Sequence, residues 1–451
     1  MPSMDVSVAE TPSAAQQPRR RLRAWLSKRA IQAFVAILLL VGGGVFLTQL
    51  VQEVVAAPST AGHHDFLAFH AAAQLVADGH AATLYDAASI TALERQVISS
   101  PVGAAGYMPY INPPVGAVLQ VPLGLLSEPA ARLIWLLINL PLAALCCWLA
   151  TAGLERRVQL LAAACLMSTF PFFQALVEGQ WSLVMLAGCL GALWAARTNR
   201  PGWAGAGLAV LALKPPLLVP VLLVLLLRRA WRPLLTCIVV LLAAFLVTLP
   251  ITGWSTQVDY AGYLVAVVGS HLSGAGAAGA AVWHGGIGGM EGLNGLAAGY
   301  VGQQNVIALD AITVVAAAAV IGRWALVARR HGVNLNTTRG RWVVISGIIA
   351  ALLTDLHLYP QDCVLALLAL PLLTAAVQPA MRLPLVLGVA AFLDAAWLDQ
   401  LAFTPHLFTW VLLMAFIWTS ARATGVEMPW ASALASLQRR LAGRAVRDLP
   451  A

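Results

Sequence analysis

A single lysine, Lys214, stands in a long apolar stretch and is the first candidate for chemistry. It is the only charged residue between Gly202 and Leu227, and Pro215 and Pro216 follow it directly. A charge at membrane depth is costly and is usually functional. The prolines begin a new helix, whose positive N-terminus faces the same place. Two positive elements at one point favour an anion site, such as one for a lipid-linked phosphate. The alternative is a lysine that extends to the membrane interface.

Acidic and histidine side chains concentrate in the segments between apolar runs that lack arginine clusters. Membrane topology explains the scarcity of Arg and Lys there, but it does not explain so many titratable groups, which indicate chemistry at one membrane face. The acidic residues are Asp65, Asp78, Asp86, Glu94, Glu178, Asp259, Glu291, Asp355 and Asp362, and the histidines are His63, His64, His70, His80, His271, His284, His357 and His406.

The composition is that of a polytopic membrane protein. Of the 451 residues, 60% are hydrophobic and 10% are charged, whereas soluble domains have about 25% charged residues. Uncharged windows such as 31–52, 158–177 and 179–196 are long enough to cross a bilayer core of about 30 Å. The net charge of +8 does not indicate a nucleic-acid partner. The basic residues form short clusters between apolar runs, which is the positive-inside pattern.

Hydropathy and arginine clusters together predict an all-α polytopic membrane protein with about 12 transmembrane helices. To keep every arginine cluster on the cytoplasmic side, either 112–126 or 130–152 must fail to cross. The first is short and begins with two prolines, so we expect it to dip into the membrane or lie at the interface. Helices 203–213 and 217–228 then form a short hairpin whose tip is Lys214.

The predicted organisation is one transmembrane domain with a tail at each end. The basic N-terminal tail is expected to be disordered and, like the C-terminal tail, cytoplasmic. Two long segments inside the domain are expected on the extracytoplasmic side. The ranges are 1–30 for the first tail, 31–421 for the domain, 422–451 for the second tail, and 52–111 and 252–306 for the loops.

Cysteines and histidines do not form a metal-ligand pattern. All six cysteines lie within or beside apolar segments, which is typical of small packing residues. His63 and His64 are adjacent, so their side chains diverge, and no Asp-x-Asp pair accompanies them. The sequence therefore predicts no bound metal.

Five segments occur in an order that carries a family resemblance. They are Asp65–Asp86 (DFLAFHAAAQLVADGHAATLYD), Tyr110–Leu126 (YINPPVGAVLQVPLGLL), Gly179–Leu235 with Gly-Gln, Lys-Pro and Arg-Arg-x-Trp-Arg, Glu291–Leu296 (EGLNGL) and Leu356–Leu373 (LHLYPQDCVLALLALPLL). The ordered set resembles glycosyltransferase family 87. Two departures are the Ile-Asn inside the Tyr-Pro-Pro segment and the missing Gln-Ser in EGLNGL.

The resemblance implies a GT-C-type fold and a sugar transfer at the extracytoplasmic face. The expected donor is a polyprenyl-phosphate sugar, and the expected acceptor is a hydroxyl of a glycolipid, a lipid-linked oligosaccharide or a polysaccharide, with inversion. The family implies mannose first, with arabinofuranose as the alternative. No cofactor is expected, because the lipid-linked donor is itself a substrate. The expected location is a bacterial plasma membrane, and the bilayer is a further partner.

The family's chemistry assigns roles to four residues. Phosphate leaves readily without a general acid, but the charge that develops on it needs a cation. Lys214, with Gln180, is the expected donor-phosphate site, and His357 is the expected catalytic residue beside it. The acceptor hydroxyl needs a base, and Asp65 matches the family's first-loop aspartate. The alternative for Asp65 is an N-cap of the helix that follows it.

Further residues are expected to position the substrates. Tyr359 and Asp362 are expected to bond the sugar or to fix the tautomer of His357. Asp86 is either structural or acceptor-positioning. The complete positioning set is Tyr85, Asp86, Asn294, Tyr359 and Asp362.

A multi-pass transporter or flippase for a lipid-linked or anionic substrate is the alternative function. Such a protein would also hold a lysine at mid-depth. However, transporters of this kind have paired halves with broken helices at matching positions. The second half of the chain contains no second Lys-Pro-Pro and no matching acidic loop. A non-catalytic scaffold would need neither the buried lysine nor the titratable face.

Overall fold

The computed structural model describes residues 16–53, 65–98, 108–273, 290–301, 306–355, 358–400 and 406–426. Within these ranges the chain forms helices and no strand, which confirms the predicted all-α class. The α-helices are α1 Gln16–Val51, α2 Phe66–Ala77, α3 Ala87–Val97, α4 Pro114–Gly124, α5 Glu128–Ala150, α6 Arg156–Met167, α7 Phe170–Val177, α8 Ser182–Arg197, α9 Pro201–Leu208, α10 Pro215–Leu227, α11 Trp231–Ser273, α12 Leu293–Val301, α13 Val306–His331, α14 Thr338–Thr354, α15 Leu370–Ala376, α16 Pro379–Leu393, α17 Ala395–Gln400 and α18 Leu407–Thr424. Shorter 3₁₀ segments are Ala81–Thr83, Ala209–Leu213 and Pro360–Ala369.

Six stretches of the described helices are long and apolar enough to cross a membrane, or seven if the bent pair α6–α7 counts as one. The other apolar helices have 10–17 residues, which at 1.5 Å per residue is about 15–26 Å. That is less than the bilayer core of about 30 Å. The count of about 12 crossings is therefore not confirmed. The six stretches are Arg29–Val51, Glu128–Ala150, Trp231–Leu264, Ala311–His331, Pro379–Gln400 and Leu407–Thr424.

Helix α4, which covers most of the 112–126 segment, is too short to span. Its 11 residues reach about 16 Å. It lies against α2 so closely that a side chain at Gly124 would come within 2.6 Å of the Ala73 carbonyl carbon. The following α5, with 23 residues, has the length of a full crossing.

Two boundaries differ from the sequence prediction. Helix α1 begins at Gln16, so the second half of the tail predicted as disordered is helical. Its arginines, leucines and alanines are good helix formers, and they continue the first apolar helix without a break. Helix α11 runs to Ser273 and α12 covers Leu293–Val301. The 252–306 segment, predicted as a loop, is therefore partly helical.

Helix α11 is longer than one membrane crossing and attaches the first loop to the bundle. Its apolar stretch has 34 residues, about 51 Å, and the backbone breaks at Gly253, where φ is 79° and ψ is 163°. Beyond the break, Thr256 Oγ1 donates to the Ala81 carbonyl at 3.1 Å. The rings of Tyr260 and Tyr263 lie 5.4 and 5.6 Å from the Tyr85 ring.

The remaining surface fits a lipid environment. Large apolar side chains such as Phe34, Trp254 and Val315 are 61%, 66% and 69% exposed. A soluble monomer rarely shows so much apolar surface in contiguous patches. All six cysteines are free and buried, which confirms their prediction as packing residues.

Helix α3 holds a buried carboxylate that should make stability depend on pH. The Met108 N–H donates one bifurcated hydrogen bond to the two oxygens of the Glu94 carboxylate, at 3.0 and 3.1 Å. Burial raises its pKa from 4.5 to about 7, although the Met108 bond opposes the shift. The folded protein therefore binds a proton more tightly than the unfolded chain does. This contribution to stability is complete below pH 4.5 and is lost as the pH rises through about 7.

We expect Glu94→Gln to flatten this pH dependence. Glutamine cannot ionise, so the fall in thermal midpoint between pH 5 and pH 8 should be smaller than in the wild type. Thermal unfolding of the detergent-solubilised protein at several pH values measures it. Equal slopes for the two proteins would show that Glu94 does not titrate in this range.

Candidate active site

The turn between α7 and α8, residues 178–181, positions the polar groups of the site. Gly179 has a φ of +64°, and a Cβ there would lie 2.8 Å from the Phe66 Cβ, so only glycine fits. The Trp135 indole N–H donates to the Gly179 carbonyl at 2.7 Å. Fixed from two sides, this Gly-Gln-Trp turn presents Gln180, and Ser182 follows it as the first residue of α8.

Asp65 faces this turn from the start of α2. Its carboxylate accepts a hydrogen bond from Gln180 Nε2, and its backbone N–H donates to Glu178 Oε2 at 3.1 Å. Asp65 occupies the N-cap position of α2, but its side chain makes no capping hydrogen bond. The cap alternative therefore does not describe what this carboxylate does. It is half-buried and directed at the turn.

Lys214 lies at a break between two short helices. The 3₁₀ segment ends at Leu213, Lys214 has φ −137° and ψ 83°, and α10 begins at Pro215. Its ammonium lies 3.3 Å from Asp355 Oδ2 and also contacts Asp362 Oδ2. The lysine side chain is 15% exposed, whereas those of Asp355 and Asp362 are 0% and 3% exposed. Lys214 is thus the accessible member of a buried charged group.

The N-terminus of α10 contributes less to an anion site than expected. Pro215 and Pro216 have no N–H to donate, and the Leu217 N–H is bonded to the Lys214 carbonyl at 3.0 Å. Three of the four N–H groups that a helix N-terminus usually offers are therefore absent or occupied. Contact with an anion at this point rests on the lysine side chain.

Asp362 links the lysine to the turn. Its Oδ1 accepts from Ser182 Oγ at 2.8 Å, and its Oδ2 accepts from the Tyr359 N–H at 3.3 Å as well as from Lys214. Because these protein groups bond its oxygens, Asp362 holds Lys214 in place. Its expected contact with the sugar stays a prediction.

The pKa of Tyr359 responds to carboxylates on both sides of the site. Burial raises the pKa of its phenol, and the nearby carboxylates of Asp65 and Asp362 raise it further. Asp65 and Lys214 lie at one site, joined through Gln180 and Ser182, which are two residues apart.

Tyr85 is connected to the Lys214 region by hydrogen bonds through Asn112. Its hydroxyl donates to the Asn112 carbonyl at 2.9 Å, and Asn112 Nδ2 donates to the Leu213 carbonyl at 3.0 Å. Residue 112, one of two inserted in the Tyr-Pro-Pro segment, thus ties the first loop to the residue before Lys214. The expected role of Tyr85 in positioning the substrate stays a prediction.

The remaining residues predicted for the site either bond groups outside the Asp65–Lys214 arrangement or lie outside the described residues. Asp86 is exposed and caps α3 by accepting from the Ser89 N–H at 2.9 Å and from Ser89 Oγ at 2.7 Å. These bonds, the side-chain one first, lower its pKa. Asn294 is buried, and its side chain bonds Met290 Sδ and the Gly295 N–H. His357, and the pair 63–64 considered for a metal, lie outside the described residues.

Sequence reasoning missed two members of the site, Asp355 and Ser182. Asp355 carried a signal, because it belongs to the acidic set and lies seven residues before Asp362. Nothing in that spacing shows that both carboxylates meet one ammonium. Ser182 carried no signal beyond its place next to the Gly-Gln-Trp turn.

Comparison with known proteins identifies the family. The family model described as glycosyltransferase family 87 matches residues 110–354, which is more than half of the chain. The chain belongs to glycosyltransferase family 87. The matched region contains the Gly-Gln-Trp turn, Ser182 and Lys214, and it ends one residue before Asp355. Asp65 and Asp362 lie outside it. No curated protein and no solved structure matches the chain.

We expect Ser182→Ala to weaken the site through Asp362. A hydrogen bond to a charged group contributes about 1.5–3 kcal/mol, so its loss should free Asp362 to move with Lys214. Transferase activity of this family member should fall by roughly tenfold, the equivalent of about 1.4 kcal/mol. Ser346→Ala is the matched control, because Ser346 is also fully buried but bonds the Val343 carbonyl of its own helix. Equal losses in the two variants would remove Ser182 from the site.

Proposed function

We propose that the protein is a membrane glycosyltransferase that moves a sugar, mannose in the first instance, from a polyprenyl-phosphate donor to an acceptor hydroxyl. The observation that carries the proposal is the arrangement of Asp65 and Lys214. The Asp65 carboxylate, which can accept a proton, bonds Gln180 of the family's Gly-Gln element. The Lys214 ammonium, which can stabilise a negative charge, contacts Asp362, and Asp362 bonds Ser182 just after the turn. Sugar transfer from a phosphate needs both.

The reaction balances with these two groups. The acceptor oxygen attacks the anomeric carbon and loses its proton to the Asp65 carboxylate. The bond between the anomeric carbon and the phosphate oxygen breaks, and its electron pair leaves with the polyprenyl phosphate. Lys214 stabilises the negative charge that grows on that phosphate. Attack from the face opposite the leaving group inverts the anomeric centre. Gln180, bonded to Asp65, orients the base rather than the phosphate.

The position of the lysine suits a lipid-linked donor. It lies at a break between helices of 10–17 residues that are too short to span, so a polyprenyl tail could stay in the bilayer while its phosphate reaches Lys214. We propose a GT-C-type bundle in a bacterial plasma membrane, with the site facing the extracytoplasmic side. The acceptor is a glycolipid, a lipid-linked oligosaccharide or a polysaccharide.

Label transfer tests the proposal. The purified protein in lipid vesicles is supplied with radiolabelled polyprenyl-phosphate mannose and a lipid extract from its own host. Movement of the label to a new lipid, dependent on the protein, is the expected result. The arabinose donor is tested in parallel, because the family resemblance allows a pentose. Absence of transfer from both donors with the complete host extract would contradict the proposed donor class.

A further inference from the structure

The charged groups around Lys214 should affect which phosphates bind there. When ionised, Lys214, Asp355 and Asp362 together carry one negative charge more than positive. A phosphate placed at Lys214 therefore meets one cation and two carboxylates. An anion of higher charge is repelled more strongly by those carboxylates, because Coulomb energy scales with the product of the charges.

The two carboxylates do not hold Lys214 equally. Asp362 is fixed by Ser182 Oγ and by the Tyr359 N–H. Asp355 lies 3.3 Å from the ammonium, longer than the 2.7–2.9 Å or so of a strong charge-assisted bond. Asp355 thus makes the weaker of the two contacts with the lysine.

Backbone contacts at the end of α14 fix the position of Asp355. Asp355 is the C-cap of α14, where the helix dipole is negative and disfavours a carboxylate. Its carbonyl packs against Gly292, at which a Cβ would come within 2.7 Å. Glu291 N–H donates to the Leu358 carbonyl at 2.7 Å. This packing holds Asp355 beside the lysine.

The two lipid phosphates of the proposed reaction differ in charge. The donor is a phosphodiester with one negative charge, and the product is a phosphate monoester with about −1.5 to −2 at pH 7. We propose that Asp355 limits the negative charge that the Lys214 site accepts, and so favours release of the polyprenyl phosphate product over loss of the donor. This inference rests on the proposed function, and it makes Asp355 a specificity-determining residue.

Binding of two short isoprenyl phosphates tests the inference. Farnesyl phosphate, a monoester, and farnesyl methyl phosphate, a diester with the same tail, are titrated into the protein in nanodiscs at pH 7.5. Asp355→Asn should tighten monoester binding by roughly tenfold and diester binding by roughly threefold, as expected for removal of one nearby charge. Asp355→Glu, which keeps the charge, should retain the wild-type ratio of the two affinities.

The possible outcomes separate the inference from the proposed function. Equal changes for both probes, or weaker binding in Asp355→Asn, would overturn the role of Asp355 while the lysine site stands. Binding that is unchanged in Lys214→Gln, or absent from the wild type, would overturn both. If Asp355→Asn does not fold, Asp355→Ser removes the same charge with a smaller side chain and is read in the same way.

In steady-state kinetics, the same substitution should lower the donor KM and lower kcat, because product leaves more slowly. A purely structural role for Asp355 would lower kcat and leave KM unchanged or raised.

Discussion

Asp65→Asn is expected to lower the transfer rate by about 10²- to 10⁴-fold, the range that a positioned general base contributes. Asparagine keeps the size of the side chain but cannot take the proton of the acceptor hydroxyl. Donor binding should change little, because Lys214 and its carboxylates are intact. Single-turnover transfer with labelled donor measures the rate, and donor titration measures the binding.

Asp86→Asn is the matched control for this prediction. Both aspartates occupy N-cap positions in the first loop, but only Asp86 uses its side chain as a cap. Asparagine caps nearly as well as aspartate, so Asp86→Asn should leave transfer and stability almost unchanged. Full activity of Asp65→Asn would remove Asp65 from the mechanism, and equal loss in both variants would point to the fold of the loop.

Lys214→Gln is expected to have two separate effects. Loss of the ammonium should lower kcat/KM for the donor by about 10²- to 10³-fold, as for other single groups that stabilise charge in a transition state. It also leaves Asp355 and Asp362 buried without their common cation, which should cost about 3–5 kcal/mol of stability. Lys214→Arg keeps the charge with a different shape, so activity should fall less. Donor kinetics and thermal unfolding measure the two effects.

The double variant Lys214→Gln with Asp362→Asn separates the effect on activity from the effect on stability. Removing one carboxylate together with the lysine restores part of the charge balance, so stability should recover relative to Lys214→Gln. Activity should not recover, because no cation remains for the phosphate. Recovery of activity along with stability would mean that Lys214 has a structural role only.

Local chemistry explains which parts of the site could be predicted from the sequence. The break at Lys214 follows from two prolines after an apolar run, and the structure shows it there. The Gly-Gln-Trp turn contains a glycine with a φ of +64°, a value that residues with a side chain rarely adopt. Both features depend on residues next to each other in the chain, which sequence patterns report well.

The partners of Lys214 depend on contacts that cross the whole chain, and sequence patterns do not report those. Asp355 and Asp362 lie more than 140 positions from the lysine, and the sequence suggested that Asp362 bonds the sugar or fixes the tautomer of His357. The number of crossings depends on helix length, which hydropathy alone does not report. Apolar runs of 10–17 residues resemble spans in composition, but their lengths fall short of the bilayer.

The structure of the Asp65→Asn protein with a bound polyprenyl-phosphate sugar tests the central claim most directly. The account predicts that phosphate oxygens contact Lys214 Nζ, and that the anomeric carbon faces the residue-65 side chain across the Gly-Gln-Trp turn. Density for the donor at another place, with Lys214 still held by Asp355 and Asp362 alone, would contradict the account.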